Sequence, residues 1–517
     1  MPTPRAKVSA DSSLPLFNWL KERGAGVLLH PTALPGGQGC GVFDQNAIRF
    51  LDFLQAAGMK YWQVCPLGPT GYGDSPYQCY SAFAGNTNLV DLAPLVRYGL
   101  LPASELTPFA NLPADQVDFE GVAALKPRLL QMAATLFRQK KTDLHYGDYA
   151  TFCAREAHWL DDYAFYRAVK DSFGGKPWWE WPADARDYRK ARKSTLRTKL
   201  ADAIESWRFG QYLFFGQWAQ VRAAAQARGI QLIGDLPIFV AGDSADAWAH
   251  PELFELDRKT FLPVAVAGVP PDYFSADGQL WGNPLYDWPA HRADGYAWWC
   301  DRLRASFDLC DVVRIDHFRG FESYWRVPLP AANARKGEWM PGPGLALFRA
   351  FQQTLPGARI IAEDLGVLTD AVNELRAATG LPGMLVLQFA WGSDAKNNYL
   401  PHNAPRNAVI YPGTHDNDTT AGWYRATSDY DRDHLRRYLR VSGEDIAWDF
   451  IRVSYASPAR LAVVPLQDIF ALGSEARFNT PGVPSGNWRW RYRADALEKL
   501  FGGTTKYLTE LATLTAR

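Results

Sequence analysis

Three acidic residues in this chain end short apolar runs, and each has neighbours able to tune it. The first lies in Val312-Val313-Arg314-Ile315-Asp316-His317. Side chains alternate along a strand, so Arg314 and Asp316 share one face while Val313 and Ile315 take the other. A cation two residues before a carboxylate favours its ionised form, which suits a nucleophile. A buried Arg–Asp ion pair without a catalytic role fits the same spacing. The second lies in Ile360-Ile361-Ala362-Glu363-Asp364-Leu365-Gly366. Burial raises a glutamate pKa, which suits a general acid. A helix cap or a partner for an arginine fits equally well. The third, Asp416, sits in Tyr411-Pro412-Gly413-Thr414-His415-Asp416-Asn417-Asp418. Glycine, asparagine and aspartate are also ordinary turn formers.

As a set, the three point further. Two carboxyl groups at neighbouring strand ends can cleave a glycosidic bond, one as nucleophile and one protonating the leaving oxygen. Asp416 and His415 could then hold sugar hydroxyls. A fourth acid, Asp235 in Ile233-Gly234-Asp235-Leu236-Pro237, could bind a hydroxyl or organise Arg314.

These residues need a frame that brings strand ends together. Eight β-rich segments occur, at 26–30, 60–66, 231–235, 312–316, 359–363, 384–389, 408–415 and 460–468. Several are nearly continuous apolar runs, as expected of parallel strands covered on both faces. Helical patterns lie between many of them, at 46–57, 218–228, 297–307, 346–355, 369–378 and 433–441, and 494–516 reads as a closing helix. Alternating strands and helices imply parallel βαβ units. Eight strands ending in functional groups suggest an α/β TIM (β/α)8 barrel with its site on the C-terminal rim. The regularity breaks over 68–230, expected as a mainly helical insertion on the rim after the second strand. It includes a basic helix at 188–199, read as a solvated face. A smaller insertion is expected at 251–288. The whole chain, 1–517, reads as one catalytic domain built on the barrel.

Composition excludes some classes of function. Lys+Arg and Asp+Glu both total 55, so nucleic-acid or anionic-membrane partners have little electrostatic support. No apolar run approaches the roughly 20 residues of a membrane helix, and the first residues carry no secretory signal pattern. Six scattered cysteines without metal-like spacing read as reduced thiols. The expected location is cytoplasmic. Aromatic residues make up 14% of the chain, with 20 tryptophans; most serve a core, and some could lie beneath sugar rings.

The motifs resemble a known family. Val313 to His317, Glu363 with Asp364-Leu365-Gly366, and Thr414-His415-Asp416-Asn417 are similar to signature regions of the α-amylase superfamily. Longer stretches resemble its amylomaltase branch, the 4-α-glucanotransferases. They are Gly73-Asp74-Ser75-Pro76-Tyr77-Gln78, Gly234-Asp235-Leu236-Pro237-Ile238, Gly268-Val269-Pro270-Pro271-Asp272-Tyr273-Phe274, Gln279-Leu280-Trp281-Gly282-Asn283-Pro284 and Asn479-Thr480-Pro481-Gly482. The resemblance implies Asp316 as nucleophile, Glu363 as acid/base and Asp416 as transition-state stabiliser. Arg314, His415 and Asp235 would bind the sugar at the cleavage point. Ser75, Tyr77, Asp272, Tyr273, Phe274, Trp281 and Asn487 would serve neighbouring subsites. It also implies maltooligosaccharide and glucan substrates, with no cofactor and no metal. A retaining α-glucan hydrolase would use the same carboxylates, and a glucan-binding protein without activity is the rival of another class. Oligomeric state and preferred chain length are not encoded in any motif.

Overall fold

The computed structural model describes residues 15–271, 276–366 and 368–517. Eight parallel strands form one sheet: β1 (Gly24–Leu28), β2 (Tyr61–Gln63), β3 (Gln231–Leu236), β4 (Val312–Ile315), β5 (Ile360–Ala362), β6 (Gly383–Val386), β7 (Ala408–Tyr411) and β8 (Leu461–Pro465). Each pairs with its sequence neighbour, and β8 returns to β1 with Gly24 opposite Leu461. The seam between β5 and β6 closes differently. Ala362 N donates to Pro382 O at 2.9 Å, and the Asp364 carboxylate accepts from Met384 N at 2.7 Å. Arg376 pairs with the same carboxylate at 3.0 Å. A Cβ on Gly383 would lie 2.5 Å from it, so only glycine lets the side chain complete the seam.

The strands alternate as their sequences imply. Leu28, Ile233, Val312, Ile361, Met384, Val409, Leu461 and Val463 pack together in the lumen. Val27, Leu232, Val313, Ile315, Ile360, Ile410 and Val464 face the helical layer. That layer includes helices Gln45–Ala56, Ala297–Leu309, Leu345–Thr354 and Asp370–Thr379. No α-helix lies between β6 and β7 among the described residues; short 3-10 turns fill that connection. Two expected helices are divided. Residues 494–516 form Ala494–Glu498 and Gly503–Leu514, because Gly502 adopts φ 91° at the break. The basic stretch forms Tyr188–Lys193 and Leu196–Lys199, parted where Ser194 leaves the helical region at ψ 173°.

Between β2 and β3 the chain builds a helical layer that includes Phe119–Lys140 and Ala157–Ser172. It ends in the 27-residue helix Ala201–Ala227, whose last turns fill the barrel-helix position expected at 218–228. A second unit is an antiparallel sheet of four strands. Ala265–Val269 and Gln279–Pro284 come from the 251–288 region, while Ser323–Pro328 and Glu338–Pro341 follow β4. The far end of the barrel is plugged by 15–20. Leu20 joins the lumen cluster, and Trp19 Nε1 donates to Ile360 O at 2.9 Å.

Candidate active site

The strand register sets the site. Asp235 pairs with Arg314, and Ile315 pairs with Ala362, so Asp316 and Glu363 each stand one residue beyond paired strand positions. Asp235, Arg314, Asp316 and Glu363 all continue the lumen-facing alternation begun by Ile233, Val312 and Ile361. Their backbones are still tied at this level: Asp316 N donates to Leu236 O and Glu363 N to Ile315 O, each at 3.0 Å.

Arg314 is the hub. Its side chain is 3% exposed, and Nη1 lies 2.7 Å from Asp235 Oδ2 and 3.0 Å from Asp316 Oδ1. Tyr77 Oη donates to the same Asp235 oxygen at 2.8 Å. Two carboxylates hold the Arg314 charge and push its pKa further up although burial opposes this. Burial raises Asp316 to about 6, the nearby Arg314 charge limiting the rise.

Glu363 receives two backbone donors. His317 N lies 2.7 Å from Oε2 and Leu365 N 2.9 Å from Oε1. The first requires His317 in the left-handed region, at φ 49°. Burial, followed by the Asp316 charge, pushes Glu363 up to about 7, outweighing both donors. This is the environment of a carboxyl group that keeps its proton near neutrality.

Asp416 is tuned the other way. Burial favours its neutral form, but His415 Nε2 at 3.3 Å and Asn479 Nδ2 at 2.6 Å hold its carboxyl well below the usual range. His415 is itself raised, because Asp416 overcomes the effect of burial. The His415 ring stacks on Tyr77 at 5.1 Å between centroids, and Trp488 closes the group at 5.8 Å from His415.

The remaining expected residues divide. Trp281 meets the His317 ring edge-to-face at 4.9 Å, beside the Glu363 end of the site. Ser75 Oγ accepts from Tyr77 N at 3.2 Å and shapes the Tyr77 turn. The Asn487 amide is engaged in its own loop, accepting from Thr480 N at 3.0 Å and donating to Val483 O at 2.8 Å. Asp272, Tyr273 and Phe274 lie outside the described residues. Sequence reasoning assigned no role to Trp488, Asn479 or Arg477. Asn479 carried a signal, since it opens a quoted motif. The other two sit in loops without periodicity. Among the described residues, no group of three or more His, Cys, Asp or Glu side chains is arranged to hold a metal. No helix there is long and apolar enough to cross a membrane.

Comparison with known proteins agrees with this frame. A family model described as 4-alpha-glucanotransferase matches residues 29–497. The 4-alpha-glucanotransferase of Thermus thermophilus is 47% identical over 496 residues, covering 94% of this chain and 98% of that protein. That of Synechocystis sp. is 46% identical, covering 95% and 98%. The amylomaltase of Streptococcus agalactiae, solved in complex with acarbose, superposes with a TM-score of 0.91 at 36% identity, covering 96% of this chain and all of that one. With the family model matching β2 through β8 and every site residue described above, and a relative 47% identical over 94% of this chain, the chain belongs to the 4-alpha-glucanotransferase family.

Proposed function

We propose that the chain transfers segments of 1,4-α-D-glucan to the 4-hydroxyl of glucose or another glucan by retaining double displacement. The observation carrying this reading is the clustering of three unequally tuned carboxyl groups around one buried arginine. Asp316, in contact with Arg314, and Glu363 are raised to about 6 and about 7, while Asp416 is lowered. Glu363 protonates the glycosidic oxygen while Asp316 attacks the anomeric carbon, which retaining enzymes do across roughly 5–5.5 Å. A β-linked glycosyl-enzyme forms and the shortened donor departs. Glu363, now ionised, takes the proton of the incoming hydroxyl, and a second inversion restores the α-linkage.

Asp416 and His415 grip the sugar ring as it flattens and gains positive charge, and Asp235 holds Arg314 in place. Trp281, on the Glu363 side, serves the acceptor, with Tyr273 and Phe274 joining it. The whole chain works as one catalytic unit, with 68–230 and 251–288 shaping the rim. Its setting is cytoplasmic starch or maltose metabolism.

The test is the product ladder from maltotriose. Glucose together with products longer than maltotriose marks a transferase. Glucose and maltose alone would mark the hydrolase with the same carboxylates, and no products would mark a binder.

A further inference from the structure

The loop after β8 reaches across to hold the residues after β7. Asn479 Nδ2 donates to Asp416 Oδ1 at 2.6 Å, and Asn479 N donates to His415 O at 3.1 Å. Arg477 Nη2 donates to the backbone carbonyl of Asp416 at 2.7 Å, and its Nε to that of Asn479 at 2.7 Å. The geometry points to Asn479 and Arg477 as positioning residues for Asp416, an inference that rests on the role proposed above for that carboxylate.

Chemistry favours these two side chains for the task. The Asp416 side chain is ringed by protein that favours its neutral form, yet 44% of its surface stays open to competing solvent. Asn479 fixes one oxygen and His415 lies against the other. The remaining lone pairs are then aimed without reorganisation at the moment of reaction. An amide donates without adding charge. Arg477 spends its charge on two backbone carbonyls, so it orders the turn without neutralising the carboxylate. The ionisable groups facing the Asp416 carboxylate are His415, Arg314, Asp316 and Cys65, from β4 and the segments after β2, β4 and β7, and Arg477, after β8, meets its backbone. Asn479 is the neutral member, so exchanging it for a charged residue gives a clean electrostatic test.

The experiment compares the full chain with Asn479→Ala, Asn479→Asp, Arg477→Lys and Asp416→Ala on maltotriose, with pH profiles and thermal melts. A hydrogen bond to a charged group predicts a fall in kcat of about 10- to 100-fold for Asn479→Ala, with KM within about threefold. Asn479→Asp is nearly isosteric and keeps the packing if alanine does not. Its like charge should move the acid limb of kcat/KM upward by roughly 1 pH unit, while Asn479→Ala leaves that limb in place. Arg477→Lys should lower kcat in the same sense, because one ammonium cannot reach both carbonyls. A parent kcat in Asn479→Ala beside an inactive Asp416→Ala overturns the positioning role and leaves Asp416 standing. A parent kcat in Asp416→Ala overturns the underlying reading instead. A raised KM and lowered melting point with kcat unchanged would mark a loop support only, and would also overturn the inference.

Discussion

Glu363→Gln should separate the two half-reactions, and its cost can be worked from the contacts of the carboxyl group. Both oxygens are occupied in the parent, by His317 N at 2.7 Å and Leu365 N at 2.9 Å. Glutamine has one carbonyl oxygen, so its NH2 must face one of those donors and leave it unsatisfied. That costs about 1–3 kcal/mol. Unfolding entropy is about 2.1 cal/mol/K per residue, so for 517 residues Tm should fall by about 1–3 °C. The chemical loss is larger. Without proton transfer, turnover of maltotriose should drop about 100- to 10,000-fold, or about 3–5 kcal/mol. α-Glucosyl fluoride has a leaving group that needs no proton, so its first step should stay within about tenfold of the parent. The glycosyl-enzyme then waits, because no base activates the acceptor. A fluoride electrode should record a burst of one equivalent per enzyme, followed by slow release. Azide needs no base and should restore turnover, giving α-glucosyl azide after two inversions. Fluoride release slowed as severely as maltotriose turnover, or a β-azide product, would refute the assignment.

Asp316→Ala should lose both reactions, and azide should displace α-glucosyl fluoride directly to give the β-azide; an α-product would show that another nucleophile operates. The profile of kcat/KM against pH should be a narrow bell. Activity should fall as pH drops through the Asp316 value of about 6, where the nucleophile becomes protonated. It should also fall as pH climbs through the Glu363 value of about 7, where the acid is lost; a profile flat from about pH 4 to 9 would contradict the roles. Arg314→Met leaves Asp235 and Asp316 without their shared cation, so stability should fall by about 3–5 kcal/mol in denaturant melts and the acid limb should move upward; an unchanged midpoint would show that the pair is dispensable. Alanine at Tyr273 and Phe274 should lower transfer more than hydrolysis on maltotriose, read as free reducing ends against longer products; an unchanged ratio in a folded variant would remove the two rings from acceptor binding.

The barrel was legible because its strands carry two signals at once. An apolar run marks each strand, and its polar end marks the rim, as Val312 to Asp316 and Ile360 to Glu363 illustrate. The shared face of Arg314 and Asp316 followed from alternation alone, and the two lie 3.0 Å apart. Asp235, offered from the sequence as either a hydroxyl ligand or an organiser of Arg314, does pair with that arginine from 79 residues away. Less was legible where tertiary contact decides the outcome. Ser323–Pro328 shows no simple alternation of burial, because both its faces find cover, Tyr324 in the main core and Val327 against Val266 and Ala334. The plug at 15–20 looks like any terminal segment until Leu20 enters the lumen. Asn479 and Asp416 are 63 residues apart, and no periodic pattern links two irregular loops.

Under the roles proposed above, the charge arrangement lets a site built around an arginine favour a cationic transition state. Arg314 alone would repel the positive charge that develops on the flattening sugar ring. Its guanidinium is instead committed to Asp235 at 2.7 Å and Asp316 at 3.0 Å, with the Tyr77 hydroxyl completing Asp235. In the proposed double displacement Asp316 would give up its negative charge on forming the covalent bond, leaving Arg314 balanced by Asp235 alone. The field on the ring then rests on Asp416, which His415 and Asn479 keep ionised. On the same reading Glu363 would enter the first step neutral and leave it ionised, adding negative charge as the acceptor arrives. The charges of Asp316 and Glu363 would thus change through the cycle while Asp416 stays ionised throughout. Asp316→Asn should therefore block the first step, while Asp416→Asn should slow both, which single-turnover and steady-state rates measured side by side would resolve.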